Sequence, residues 1–127
     1  MEQILTSEEM KKNIFNTDIN KQNEYGWTKL MLAVSYGKTY EVKELLAAGA
    51  DPNIYDYDHG NALLFAASEG YVDIVKALIE SGADIEAKDN SNFTPLIWAI
   101  KTWNTDVVEL LKESGAKITD EKAQECW

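Results

Sequence analysis

A register of 33 residues runs through this chain and restricts what it can fold into. Leu30, Leu63 and Leu96 are 33 apart, and so are Ala33, Ala66 and Ala99. Val42, Val75 and Val108 keep the same spacing, as do Leu45, Leu78 and Leu111, and Gly49, Gly82 and Gly115. Residues 61–84 are the most regular copy: a short apolar stretch with helical spacing, a glycine, a second such stretch, then Gly82-Ala83-Asp84. Helices this short are not stable alone in water. They persist only when stacked on their neighbours, so three copies at this period predict a stacked array of helix pairs.

The copies open with Thr28-Lys29-Leu30, Asn61-Ala62-Leu63 and Thr94-Pro95-Leu96, and close with Gly49-Ala50-Asp51, Gly82-Ala83-Asp84 and Gly115-Ala116-Lys117. This pattern resembles the ankyrin repeat family, whose repeats carry a Thr-Pro-Leu-His start, an Ala-rich first helix, a Val-x-x-Leu-Leu second helix and a Gly-Ala-Asp end. Met31, Leu64 and Ile97 stand where the family has His, which removes a side-chain hydrogen bond but not the fold. The resemblance implies an all-α ankyrin-repeat solenoid of stacked antiparallel helix pairs with hairpin-like loops and helical caps. It divides a single domain, 1–127, into an N-terminal cap 1–22, repeats 23–55, 56–88 and 89–121, and a C-terminal cap 122–127. Helices are expected over 28–36 and 40–48, 61–69 and 73–81, and 94–102 and 106–114.

Within that frame individual residues acquire roles. Thr6 and Glu9 have capping-box spacing, with Leu5 and Met10 placed for a hydrophobic staple, ahead of a helix over 7–15. Leu30, Leu45, Leu63, Ala66, Val75, Leu78, Leu96, Ala99 and Leu111 are expected to be buried. Gly26 suits a tight turn, and its register partners His59 and Asn92 tolerate left-handed backbone better than most residues. Trp103 replaces Gly37 and Gly70 and is expected to resist that backbone, passing the turn to Asn104. Lys112 replaces Leu46 and Ile79 and is expected to face water, because burying a lysine there would be costly. Thr119 is placed to N-cap a last turn before Cys126 and Trp127.

Composition narrows function mainly by exclusion. There are 22 acidic residues against 12 basic ones, all Lys, for a net charge of −10. Such a chain lacks the positive stripe that holds nucleic-acid phosphates or an anionic membrane, and it suits a basic partner. Cys126 alone cannot make an internal disulfide and fits a reducing compartment. Residues 1–20 hold no signal-peptide core and no stretch approaches a membrane span, so a cytoplasmic monomer is expected, with export by other routes open. His59 and Cys126 are single and lie far apart, and no phosphate-binding glycine loop is present, so neither an enzyme nor a cofactor is expected. Asp56-Tyr57-Asp58-His59 reads as a polar hairpin tip rather than a metal site.

The aromatic residues carry the functional signal. Leu32, Phe65 and Trp98 share one register on the first helix of each repeat, while Tyr25, Trp27, Tyr57 and Phe93 fall at the hairpin tips. The resemblance implies that tips and first helices line a concave surface that grips protein partners, and aromatic anchors dominate such interfaces. The same rings also suit packing between layers. The expected function is a non-catalytic protein–protein interaction module, an adaptor or scaffold, binding through Tyr25, Trp27, Tyr57, Asp58, Gly60, Glu69, Phe93, Lys101 and Trp103. The alternative is a dedicated inhibitor or immunity-type protein occluding a basic cleft of a target enzyme, with acidity steering association. Gly60, between Trp27 and Phe93 in register, predicts an open notch beside Asp58 for a partner's Lys or Arg.

Overall fold

Each repeat begins with a side chain that satisfies its own helix end. Thr28 Oγ1 accepts the Met31 N–H at 3.2 Å, Asn61 Oδ1 the Leu64 N–H at 3.0 Å, and Thr94 Oγ1 the Ile97 N–H at 3.3 Å. Pro95 follows Thr94 at the first helical position, where its missing N–H costs nothing. These caps start α1 (Lys29–Ser35), α3 (Ala62–Glu69) and α5 (Pro95–Lys101). A tight turn follows each, closed by a backbone bond from Lys38 to Ala33, Tyr71 to Ala66, and Asn104 to Ala99 at 2.9–3.0 Å. The chain then returns through α2 (Thr39–Ala47), α4 (Val72–Glu80) and α6 (Thr105–Glu113). The computed structural model describes residues 19–117, so the expected N-terminal helix and the turns around Thr119 and Cys126 lie outside the described residues. The six helices match the expected ranges to within a residue at each end, and no strand occurs among the described residues.

The first helices α1, α3 and α5 pack in one row and the second helices α2, α4 and α6 in another. Between them runs one core that includes Leu30, Val42, Leu63, Ala66, Val75, Leu78, Leu96, Ala99 and Leu111. Leu45 departs from expectation and is only half-buried. It lies in the first described layer, facing a cavity rather than a preceding described helix, so only one side of it is covered. Met31, Leu64 and Ile97 are all buried, and the Met31 sulfur accepts the Thr28 N–H at 3.5 Å, a weak stand-in for the family's imidazole. Lys112 is exposed, as its place in the last described layer predicts.

Adjacent layers are also tied by polar ladders. Asn20 Oδ1 accepts the Asp51 N–H at 2.9 Å, and one layer on Asn53 Oδ1 accepts the Asp84 N–H at 2.8 Å. Glu86 follows in this register, and its Oε1 is buried without a hydrogen-bond partner among the described residues.

The turn registers separate two kinds of position. Gly26, His59 and Asn92 all have positive φ, at 82°, 65° and 63°, as the residue types predict. Trp103 contradicts the expectation drawn from its size: it adopts φ 61° itself, and Asn104 does not take over the turn. The reason is what lies above each position. A Cβ on Gly37 would meet the Tyr71 ring at 3.1 Å, and one on Gly70 would meet Asn104 Oδ1 at 2.5 Å. No described residue stacks over Trp103, which is 85% exposed, so its side chain points freely into solvent. Asn104 instead donates through Nδ2 to the Ala67 and Ser68 carbonyls at 3.2 and 3.1 Å, tying the third repeat to the second.

Candidate functional site

The loops ahead of the first helices end in three tips, 23–27, 56–60 and 89–93, built on one device. Asn23 Oδ1 accepts the N–H groups of Tyr25 and Trp27, each at 2.9 Å. Asp56 Oδ1 accepts those of Asp58 and Gly60 at 2.9 and 2.8 Å, and Asp89 Oδ1 those of Ser91 and Phe93 at 2.8 and 3.0 Å. A short polar side chain that bonds the backbone ahead of it fixes a turn without any core. The tips are also laced together: the Tyr57 N–H donates to the Tyr25 carbonyl at 3.2 Å, and Asn90 Nδ2 to the Asp58 carbonyl at 3.2 Å. Side chains mounted there are therefore held in a common frame.

Rings of the tips and of the first helices interlock. Trp27 packs on Phe65 of the next repeat, with centroids 5.3 Å apart and planes tilted by 34°. Phe93 meets Trp98 edge-on at 5.6 Å, and the Lys101 ammonium sits 4.9 Å from the Phe93 centroid. The space expected at Gly60 is narrowed by the Phe65 ring. A Cβ on Gly60 would lie 2.8 Å from the Phe65 ring. A cavity of about 320 Å³ is open there, lined by Trp27, Asp56, Asp58, Gly60, Phe65, Asp89 and Trp98.

Of the residues singled out in the sequence, Trp27, Asp58 and Gly60 meet at this cavity. Tyr25 and Tyr57 stand exposed on neighbouring tips, and Phe93 with Lys101 forms the cation–π pair beside it. Glu69 and Trp103 fall elsewhere, at the ends of α3 and α5 away from the tips, and do not join the group. Asp56 and Asp89, in register with Asn23, also line this cavity, although neither is among the expected binding residues.

The remaining chemistry is local. His59 packs edge-on against Tyr55 at 4.3 Å. Asp56, Asp58 and Asp89 surround the cavity, yet no three His, Cys, Asp or Glu side chains among the described residues are grouped to hold a metal ion. On the fully exposed face of α2, a hydrogen bond to Glu44 and its negative charge raise the Tyr40 pKa above its ordinary value. A larger cavity, about 820 Å³, lies between α1 and α2 at Leu32, Tyr36 and Leu45, apart from the tips.

A family model described as ankyrin repeats (3 copies) matches residues 4–89 and 42–122. The chain is similar to a putative ankyrin repeat protein, L289, of Acanthamoeba polyphaga mimivirus, 44% identical over 59 residues, which is 43% of this chain and 10% of that relative. It is also similar to a second from the same virus, L86, 54% identical over 50 residues, which is 36% of this chain and 9% of that relative. The matched segment thus spans only a small part of the length of these curated relatives.

Proposed function

The chain belongs to the ankyrin repeat family, and on that premise we propose that it is a non-catalytic interaction module that grips a protein partner along its loop tips and first helices. Ankyrin repeats generally mediate protein–protein interaction. The observation that carries the reading is the row of laced tips, which presents Tyr25 and Tyr57 to solvent beside an aromatic and acidic cavity. Side chains held in place before binding lose less freedom when a partner arrives, and tyrosine offers large contact area at low entropic cost. The reading includes a cytoplasmic monomer, in keeping with one cysteine and a net charge of −10. Among the described residues no helix is long and apolar enough to cross a membrane.

The test is partner capture followed by affinity measurement. Trp27→Ala and Tyr57→Ala are each expected to weaken binding about thirtyfold, the loss of one interface anchor. Thermal midpoints confirm that the variants stay folded. Lys43→Ala and Lys76→Ala, exposed on α2 and α4, are expected to leave affinity unchanged. The reverse pattern removes the tips from the interface. A salt series divides adaptor from inhibitor: an on-rate that falls steeply with salt assigns the acidic surface to a basic enzyme cleft, as for electrostatically steered pairs.

A further inference from the structure

We propose, resting on the tip-surface reading above, that the cavity between Phe65 and Trp98 is a seat for an arginine side chain of the protein partner, with Asp56 as its acceptor. The three tips use one oxygen of residues 23, 56 and 89 alike, so what distinguishes them is the second polar atom. In the third repeat Asp89 Oδ2 accepts the Trp98 indole N–H at 2.7 Å. The second repeat has Phe65 in the place of Trp98, and a phenyl ring has no N–H to give. Asp56 is only 8% exposed, its Oδ1 is taken by two backbone N–H groups, and its Oδ2 has no hydrogen-bond donor among the described residues. That oxygen lies against Gly60, at the cavity. Among the described residues the buried side-chain atom left without a partner is Glu86 Oε1, so Asp56 Oδ2 is open at the cavity and free to accept from an incoming donor.

The surroundings select the donor. No basic side chain lines the cavity, while Asp58 and Asp89 add negative charge to its rim. The carboxylates are not gathered for a metal ion. The walls are the rings of Trp27, Phe65 and Trp98. A guanidinium satisfies both demands: it is planar and weakly hydrated, stacks on aromatic faces, and forks its N–H donors toward carboxylates. An ammonium is more strongly hydrated and offers a point charge without a face. At about 320 Å³ the cavity takes a single long side chain from the partner, not a helix.

The repeats supply their own control variants. Asp56→Asn copies Asn23, which holds the same turn in the first repeat. Phe65→Trp copies Trp98 and brings the missing N–H to Asp56. We would titrate the full chain with N-acetyl-arginine amide, N-acetyl-lysine amide and the uncharged N-acetyl-citrulline amide, following the Gly60 backbone N–H and the Trp98 indole N–H by NMR. Arginine is expected to shift both saturably, citrulline to shift neither, and lysine to bind more weakly than arginine. Asp56→Asn and Phe65→Trp should each weaken the arginine response about tenfold or more, as loss of a charge-assisted hydrogen bond implies. Equal shifts with citrulline, no shift with arginine, or lysine binding as tightly as arginine overturns the assignment. With a captured partner, binding that falls for Tyr57→Ala but not for Asp56→Asn removes the arginine seat and leaves the tip surface standing. Binding indifferent to Tyr57→Ala and Trp27→Ala removes the tip surface itself.

Discussion

Leu78→Ala is expected to lower the unfolding free energy by about 2–5 kcal/mol, the range for emptying a fully buried leucine site. Leu78 has no exposed surface and lies on α4, in the middle of the three described layers. A leucine-sized space there is closed on both sides, by α2 and by α6, so the neighbours cannot collapse without breaking their own register. The loss should also reach beyond one repeat, because in a stacked array the energy of a layer is shared with the interfaces on either side. Urea unfolding of the variant should show a lower midpoint and a broader transition as the outer repeats uncouple. Leu45→Ala serves as the contrast: its site is half-buried at the edge of the first described layer, and the cost should be well below that at Leu78. A Leu78→Ala midpoint indistinguishable from wild type would mean that the 33-residue register does not define the core.

Gly70→Ala is expected to be as damaging as the emptied leucine site, although it adds only a methyl group. Gly70 has φ 80°, a backbone region that costs an L-residue about 1–2 kcal/mol. Its new Cβ would sit 2.5 Å from Asn104 Oδ1 and push that side chain away. Asn104 would then lose its bonds to the Ala67 and Ser68 carbonyls, adding about 1–3 kcal/mol for groups left unpaired. The sum is about 2–5 kcal/mol. Trp103→Gly, one repeat on in the same register, should be neutral or stabilising, because glycine adopts φ 61° without strain and no described residue stacks above it. Thermal midpoints of the two variants check the pair together. Equal midpoints for Gly70→Ala and wild type would mean that the contact with Asn104 does not constrain this turn.

The contrast between Gly70 and Trp103 also shows where sequence reading stops. Helix positions and the positive φ of His59 and Asn92 were legible because each depends on a residue's own backbone chemistry repeated at a fixed spacing. Whether a turn tolerates tryptophan depends instead on what the next layer places over it, which the register does not state. The same limit explains Gly60. Register treats layers as equivalent, so a missing side chain reads as a gap, whereas the Phe65 ring lies close against that position and narrows it. Asp56 reads from the sequence as part of a hairpin tip, and both it and Asp89 hold their turns. The fate of the second carboxylate oxygen depends on whether residue 65 or 98 carries an N–H, a comparison that only the packed rings bring into view. Glu69 and Trp103 sit at the far ends of α3 and α5, and a helix of seven or eight residues separates its two ends by about 10 Å.

The most direct test of the central claim is hydrogen–deuterium exchange of the chain with and without its captured partner. The account predicts slowed exchange at the tips, residues 23–27, 56–60 and 89–93, extending into the starts of α1, α3 and α5, with α2, α4 and α6 exchanging as in the free protein. Protection confined to α2, α4 and α6, with the tips exchanging unchanged, would contradict it.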